Sequence, residues 1–356
     1  MTELTSLAGK KIVVVGGGGF IGTRLVRVLA ERENARVTAA VRSTNCNSWN
    51  DLGNVKLAKS VRSAAATAHL VAGAHAVVNL AYDFSASSEE LLSEFEVLLQ
   101  ACEAAPDLKA FVQFSSIAVY DGWPGGTITE DSPADGPGGL YKLTKRAMEQ
   151  RLARSRLPHT ILQPTIVYGA GSPQWTEKIL EQFRTGTVVL PDGEEGLCHA
   201  VHVDDVVNAT LLALRQASHS GSRYIVSGPE SVGWRMFYTA HADVLGKPPP
   251  RLEMMPATPA RPQTGKRQRA NPLRGAIRAI RTFLPPGVIR IGRHWVSAIR
   301  NGGRPIIHRP SSSDLELLRA RGTCSIECAR KEIGYLPKTD FGAGMQRVAE
   351  DHRRPA

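Results

Sequence analysis

The stretch that most constrains this chain is "IVVVGGGGFIG", residues 12–22. A short β-branched run passes directly into four glycines. It then enters "FIGTRLVRVLAER", where Ile21, Leu25, Val28 and Leu29 recur at helical spacing. The run predicts a buried strand and the periodic segment an amphipathic helix. Gly16, Gly19 and Gly22 stand at G-x-x-G-x-x-G spacing between the two. In that context the glycines have distinct tasks. One permits the tight turn, one lets a pyrophosphate approach the backbone, and Gly22 lets the helix pack on the sheet. The helix N-terminus adds N–H donors and a partial positive charge. A dinucleotide site is therefore expected here.

The same alternation continues. "ARVTAAVR", "AHAVVNLAY", "LKAFVQFSS" and "HTILQPTIVYG" read as strands, each a single continuous segment. "SEELLSEFEVLLQACEAA" and a segment from about Leu140 to Ser155 read as helices. Alternating strands and helices at this interval imply parallel β-α-β units. The expected fold is α/β: a doubly wound parallel (Rossmann) sheet with right-handed crossovers and a smaller C-terminal substrate-binding region. Residues 8–170 are assigned to the dinucleotide-binding domain. Residues 171–356 are assigned to a substrate-binding cap interleaved with the last strands, such as "SRYIVSGPE". At the end of the second strand no carboxylate is available for a ribose 2′-OH; Arg42 stands there instead. A guanidinium suits a 2′-phosphate, so NADP is the expected cofactor, with NAD as the alternative.

A second constellation lies further along. "YKLTK" sets Tyr141 and Lys145 one helical turn apart, on one face. Ser116, in "QFSSIAVYDG", ends a strand, and strand C-termini in such sheets face the ligand crevice. Hydride transfer at a carbon bearing oxygen needs a coupled proton transfer. An ordinary tyrosine, with a pKa of ~10, is a weak base near neutrality. A lysine one turn away would favour the phenolate. Ser116 would donate to the substrate oxygen. Ser116, Tyr141 and Lys145 are thus the candidate catalytic trio, with Lys145 also holding the nicotinamide ribose.

At this point the chain resembles the extended short-chain dehydrogenases/reductases of the NAD(P)-dependent epimerase/dehydratase type. The resemblance rests on "GGGGFIG", "VVNLAY", "FSSIAVYDG", "YKLTK", "LQPTIVYGAG" and "HVDDVVNA" in that order, over about residues 10–245. It implies a cofactor site of Gly16, Gly19, Phe20, Ile21 and Gly22, with Arg42, Leu80, Ala81, Tyr141, Lys145, Pro164 and Ile166. It also implies that His202 and Asp205 anchor the helix that follows them. The chain departs from the family's pattern at several places. Ile117 and Ala118 stand where sugar 4,6-dehydratases carry Asp–Glu. Gln163, Ile166 and Cys198 replace an arginine, an asparagine and an arginine that hold nucleotide sugars, and Ser60 replaces an aspartate that meets the adenine. Losing such donors disfavours a diphosphate. The expected activity is hydride transfer at a secondary alcohol or ketone carbon of a partly apolar or lipid-like small molecule. The alternatives are an epimerase or reductase of a nucleotide-activated or lipid-linked sugar, and a non-catalytic dinucleotide binder.

Charge divides the chain. Residues 1–250 hold 23 Lys/Arg against 25 Asp/Glu; residues 251–356 hold 21 against 8. Segment 261–309 alone carries 12 basic residues and no acidic one. Within it Leu273, Ile277, Ile280 and Leu284 recur at helical spacing, with Arg274, Arg278 and Arg281 elsewhere on the turn. Such a segment either caps the sheet domain or meets an anionic membrane or lipid-linked substrate. No aromatic-interleaved surface supports nucleic acid. The five cysteines form no metal-ligand pattern, so no metal is expected. With no leader-like N-terminus and no membrane-length apolar run, the expected location is the cytoplasm, with a peripheral place at the membrane as the alternative. A homodimer is left open.

Overall fold

The computed structural model describes residues 5–42, 48–59, 63–121, 125–193, 195–216, 221–255 and 306–354. Seven parallel strands form the central sheet: β1 Lys11–Val15, β2 Arg36–Val41, β3 Val55–Lys59, β4 Ala76–Asn79, β5 Ala110–Phe114, β6 His159–Pro164 and β7 Ser222–Val226. Their order is β7-β6-β5-β4-β1-β2-β3. The first strand sits inside the sheet, and the chain winds outward from it in both directions. The order therefore reverses between β1 and β4, where a crevice opens at the strand C-termini.

The sequence explains the layers. β1, β4, β5 and β6 are buried almost throughout, as parallel strands covered on both faces must be. α1 (Phe20–Glu31) lies on one face. Its Leu25, Val26 and Leu29 join Ile12, Val14 and Val37, together with Val206 and Leu211 of a later helix. The other face is covered by α2 (Ala64–Val71), α3 (Ser88–Glu103) and α4 (Leu140–Ala153), which bring Leu70, Phe95, Leu99, Met148 and Leu152 against Val13, Val77 and Phe111. α3 starts sharply because Ser87 and Glu90 form a reciprocal capping box.

Two sequence readings change. "NVKLAK" forms the edge strand β3, which the pattern does not announce. "HTILQPTIVYG" is two strands. β6 ends at Pro164, and Ile166–Tyr168 leaves the central sheet to pair in parallel with Ala200–His202. The break is at Thr165, whose N–H donates to Val226 O while the next donates to His199 O. One residue thus hands the chain from one neighbour to another.

The C-terminal lobe has its own core. α5 (Lys178–Thr185), α7 (Trp234–Val244) and two later helices, α8 (Ser312–Leu318) and α10 (Phe341–Arg353), surround Ile179, Phe183, Trp234, Phe237, Leu318 and Met345. A small parallel sheet of Arg251–Glu253, Gly186–Pro191 and Ile306–His308 lies beside them. The helix α6 (Val203–Arg215) and α9 (Glu327–Ile333) instead pack on the central sheet. His202 caps α6, accepting from Asp204 N at 3.3 Å. Buried Asp205 accepts from Lys338 N and Thr339 N, at 2.8 and 3.0 Å. His202 thus closes the start of α6, and Asp205 ties α6 to the start of α10. Residues 256–305, which hold most of the basic segment 261–309, lie outside the described residues. So does Ser60. Among the described residues, no helix is long and apolar enough to cross a membrane.

Candidate active site

Ser116, Tyr141 and Lys145 meet at the C-terminal end of β5. Ser116 follows the strand and caps a short turn, Ile117–Val119, its Oγ accepting from Ala118 N at 3.2 Å. α4 begins at Leu140 without a side-chain cap, so Tyr141 lies in its first turn and Lys145 one turn later. The Tyr141 hydroxyl lies near enough to Ser116 for that side chain to lower the phenol pKa. Lys145 is buried, and its Nζ donates to Phe114 O at 2.8 Å.

That carbonyl is held in turn. Gln113 Nε2 donates to it at 2.8 Å, Asn79 Nδ2 donates to Gln113 Oε1 at 2.9 Å, and Ala81 N donates to Asn79 Oδ1 at 3.2 Å. The bonds link the backbone after β4 to the lysine on α4. Both amide side chains are buried and paired, as low-dielectric surroundings require.

Burial raises the Tyr141 pKa; the Ser116 side chain lowers it and the neighbouring Tyr82 raises it. The shift runs toward the protonated phenol, whereas the sequence reading, which counts Lys145 and the positive nicotinamide ring together, expects a drift toward phenolate. Desolvation of the charged form is the first cause. The same desolvation lowers Lys145 to about 8, with Glu149 acting to raise it.

The sequence reading misses the wall beside this trio. Tyr82 meets Tyr141 edge-on with centroids 4.9 Å apart, and Phe84 stacks on Tyr141 at 5.7 Å and 17°. Lys145 Nζ sits 4.9 Å from the Tyr82 ring. Phe84 is 84% exposed although it is a large apolar ring. The two aromatics of "AYDFS" directly after a strand are the signal available in the sequence. Ser115 Oγ is also missed: it is buried without a hydrogen-bond partner at the end of β5.

On the cofactor side, Gly16 has φ +83°, and a Cβ there would stand 2.9 Å from Ala81 N. A Cβ on Gly22 would stand 2.8 Å from Gly17 Cα. Only glycine lets the turn approach the backbone after β4, and α1 approach the turn, this closely. Gly19 is the N-cap of α1, which has neither a capping side chain nor an acidic residue in its first turn. Phe20 lies against Gly169, in the loop after Tyr168. Ile21 and Leu80 pack on the sheet core, Ala81 on the opposite core, and Ile166 on the C-terminal core. Pro164 is buried at the end of β6, in register with Val226. Arg42 directly follows β2, exposed, and pairs with Asp83 at 3.2 Å. The uncapped helix start, the cradle at Gly16 and the unpartnered Ser115 hydroxyl fit a dinucleotide lying across the strand ends.

A seven-stranded doubly wound sheet with a glycine turn after β1 and a Ser–Tyr–Lys cluster after β5 defines the extended short-chain dehydrogenase/reductase class. The chain belongs to the NAD dependent epimerase/dehydratase family, whose model matches residues 12–227. Among curated proteins it is 24% identical to the 2-alkyl-3-oxoalkanoate reductase of Stenotrophomonas maltophilia, over 95% of this chain and 98% of that protein. It is 27% identical to a ketoreductase of Aspergillus fumigatus, over 62% of this chain and 80% of that protein. The fold matches the epimerase Mth375 of Methanothermobacter thermautotrophicus with a TM-score of 0.72 at 15% identity, covering 97% of this chain and 92% of that one.

Proposed function

We propose that the chain is an NADP-dependent reductase that converts a ketone carbonyl on a partly apolar, lipid-like small molecule to a secondary alcohol. The observation that carries this reading is the convergence of Ser116, Tyr141 and Lys145 at one strand end. When bound, the reduced dinucleotide supplies the hydride to the carbonyl carbon. The carbonyl oxygen accepts hydrogen bonds from Ser116 and Tyr141, and Tyr141 O–H gives it the proton as negative charge develops. A phenol kept protonated by burial is the form this direction needs. The Lys145 ammonium stabilises the phenolate left behind.

Two features favour an apolar substrate. The exposed Phe84 ring extends the wall beside Tyr141. Ile166 and Cys198 stand where the family's nucleotide-sugar enzymes have polar contacts. The names of the two reductase relatives agree with a ketone substrate. Arg42, at the end of β2, would exchange Asp83 for a 2′-phosphate.

The test is oxidation of NADPH in the presence of a 3-oxo acid bearing an alkyl chain. Tyr141→Phe should lower turnover by about 10²- to 10⁴-fold and leave NADPH affinity unchanged. Turnover equal to that of the unmodified protein would remove Tyr141 from the mechanism.

A further inference from the structure

Lys145 has a second buried charge behind it. Glu149 lies one further turn along α4, on the face that carries Tyr141 and Lys145, and is only 9% exposed. Its Oε1 accepts from Gln163 Nε2 at 2.9 Å. Gln163 is fully buried on β6, and its Oε1 accepts from the Tyr120 hydroxyl at 2.7 Å. Burial, the first cause, and then Glu149 raise the Tyr120 pKa, so its hydroxyl stays a donor. The amide of Gln163 is thereby fixed with its NH₂ toward Glu149. Its partner at that oxygen is a neutral amide, so the hydrogen bond orients the carboxylate without cancelling its charge.

We propose that Glu149, oriented by Gln163 and Tyr120, is a positioning residue whose negative charge keeps Lys145 protonated in a dry site. This rests on the reading of Tyr141 and Lys145 as the proton-transfer pair. Among the described residues, the other groups that touch the ammonium are uncharged. Phe114 O offers a dipole, and Tyr82 and Tyr141 offer ring faces, at 4.9 and 6.0 Å. Burial lowers Lys145 and Glu149 opposes it, in a medium where a charge one turn away is weakly screened.

The sign follows. A lysine whose pKa falls loses its charge at lower pH. Without the charge on Glu149, Lys145 turns neutral earlier as pH rises. The phenolate formed in the reaction then loses its cation, so the alkaline limb of turnover moves down in pH.

Two substitutions separate charge from shape. Glu149→Gln keeps an acceptor for Gln163 and removes the charge. Glu149→Asp keeps the charge and shortens the reach to Gln163. The pH profile of turnover is measured for both, with Tyr141→Phe run in parallel. The expected result is an alkaline limb at least one pH unit lower in Glu149→Gln, corresponding to ~1.4 kcal/mol, and a limb near that of the unmodified protein in Glu149→Asp. The reverse pattern, with Glu149→Gln unshifted and Glu149→Asp impaired, would reduce Glu149 to a packing role and overturn the proposal. Should Tyr141→Phe turn over normally, the catalytic reading itself falls, whatever Glu149 does.

Discussion

The crevice at the strand ends and the C-terminal lobe are built on different terms. In the crevice, buried polar groups are joined in short hydrogen-bonded chains, with Ser115 Oγ left over: Asn79 with Gln113, Gln113 and Lys145 with Phe114 O, Gln163 with Glu149. In the lobe the interior is apolar and holds an aromatic cluster. Trp234 meets Trp175, Phe237 and Tyr238 with centroids 5.8, 5.7 and 6.4 Å apart. A cavity there is lined by Trp175, Ile179, Trp234, Tyr238 and Arg309. Directional hydrogen bonds fix atoms to within tenths of an ångström, which proton and hydride transfer require. Aromatic packing fixes volume and tolerates change of chemistry. On the proposed reading, the crevice sets the reaction type, and the lobe contributes with Phe84 to substrate choice.

That contrast explains what the sequence disclosed. Glycine spacing, Ser116 and the Tyr141–Lys145 turn are local patterns with a single mechanical reason, so each is legible. β3 is not, because an edge strand has a solvated side. Lys56 and Lys59, one on each face, are exposed where a buried strand would carry apolar residues, a common protection of sheet edges. The break at Thr165 is invisible because a period of two does not say which neighbour a strand pairs with. Glu149 stands one more turn along the helix already singled out. Its role emerges only when β6 brings Gln163 against it, a contact between residues 14 positions apart. Arg42 was legible as a position but not in its pairing with Asp83, which joins two loops.

The largest effect that would sharpen the contrast is in the lobe. Trp234 is 2% exposed, and its Nε1 donates to Leu317 O at 3.2 Å. Trp234→Ala should cost about 3–5 kcal/mol of stability, read by denaturant unfolding. NADPH affinity of the folded fraction should stay unchanged while KM for the ketone rises. Equal loss of cofactor affinity would break the comparison, because the lobe would then be shaping the crevice as well.

A smaller effect lies at the far end of the cofactor site. Arg42→Ala removes a charge-assisted contact worth ~1.5–3 kcal/mol when made to a phosphate. NADPH binding should weaken about 10- to 100-fold and NADH binding should hardly move, as isothermal titration with each would show. Tighter binding of NADH than NADPH by the unmodified protein would overturn the cofactor assignment and leave Arg42 as the ion-pair partner of Asp83.

The smallest effect concerns the charge split, +13 in residues 251–356 against −2 before them. If the lobe receives a lipid-like substrate, the basic segment gives it an approach to an anionic surface. Each basic residue near such a surface contributes ~1 kcal/mol, and the attraction fades with added salt. Sedimentation with vesicles of rising anionic lipid content should carry down more protein at low salt than at high. Changing Arg274, Arg278 and Arg281 to Glu should abolish the difference, while turnover of a short, water-soluble ketone stays as before. Sedimentation independent of lipid charge would confine these arginines to solubility. The substrate would then reach Phe84 and Tyr141 from solution.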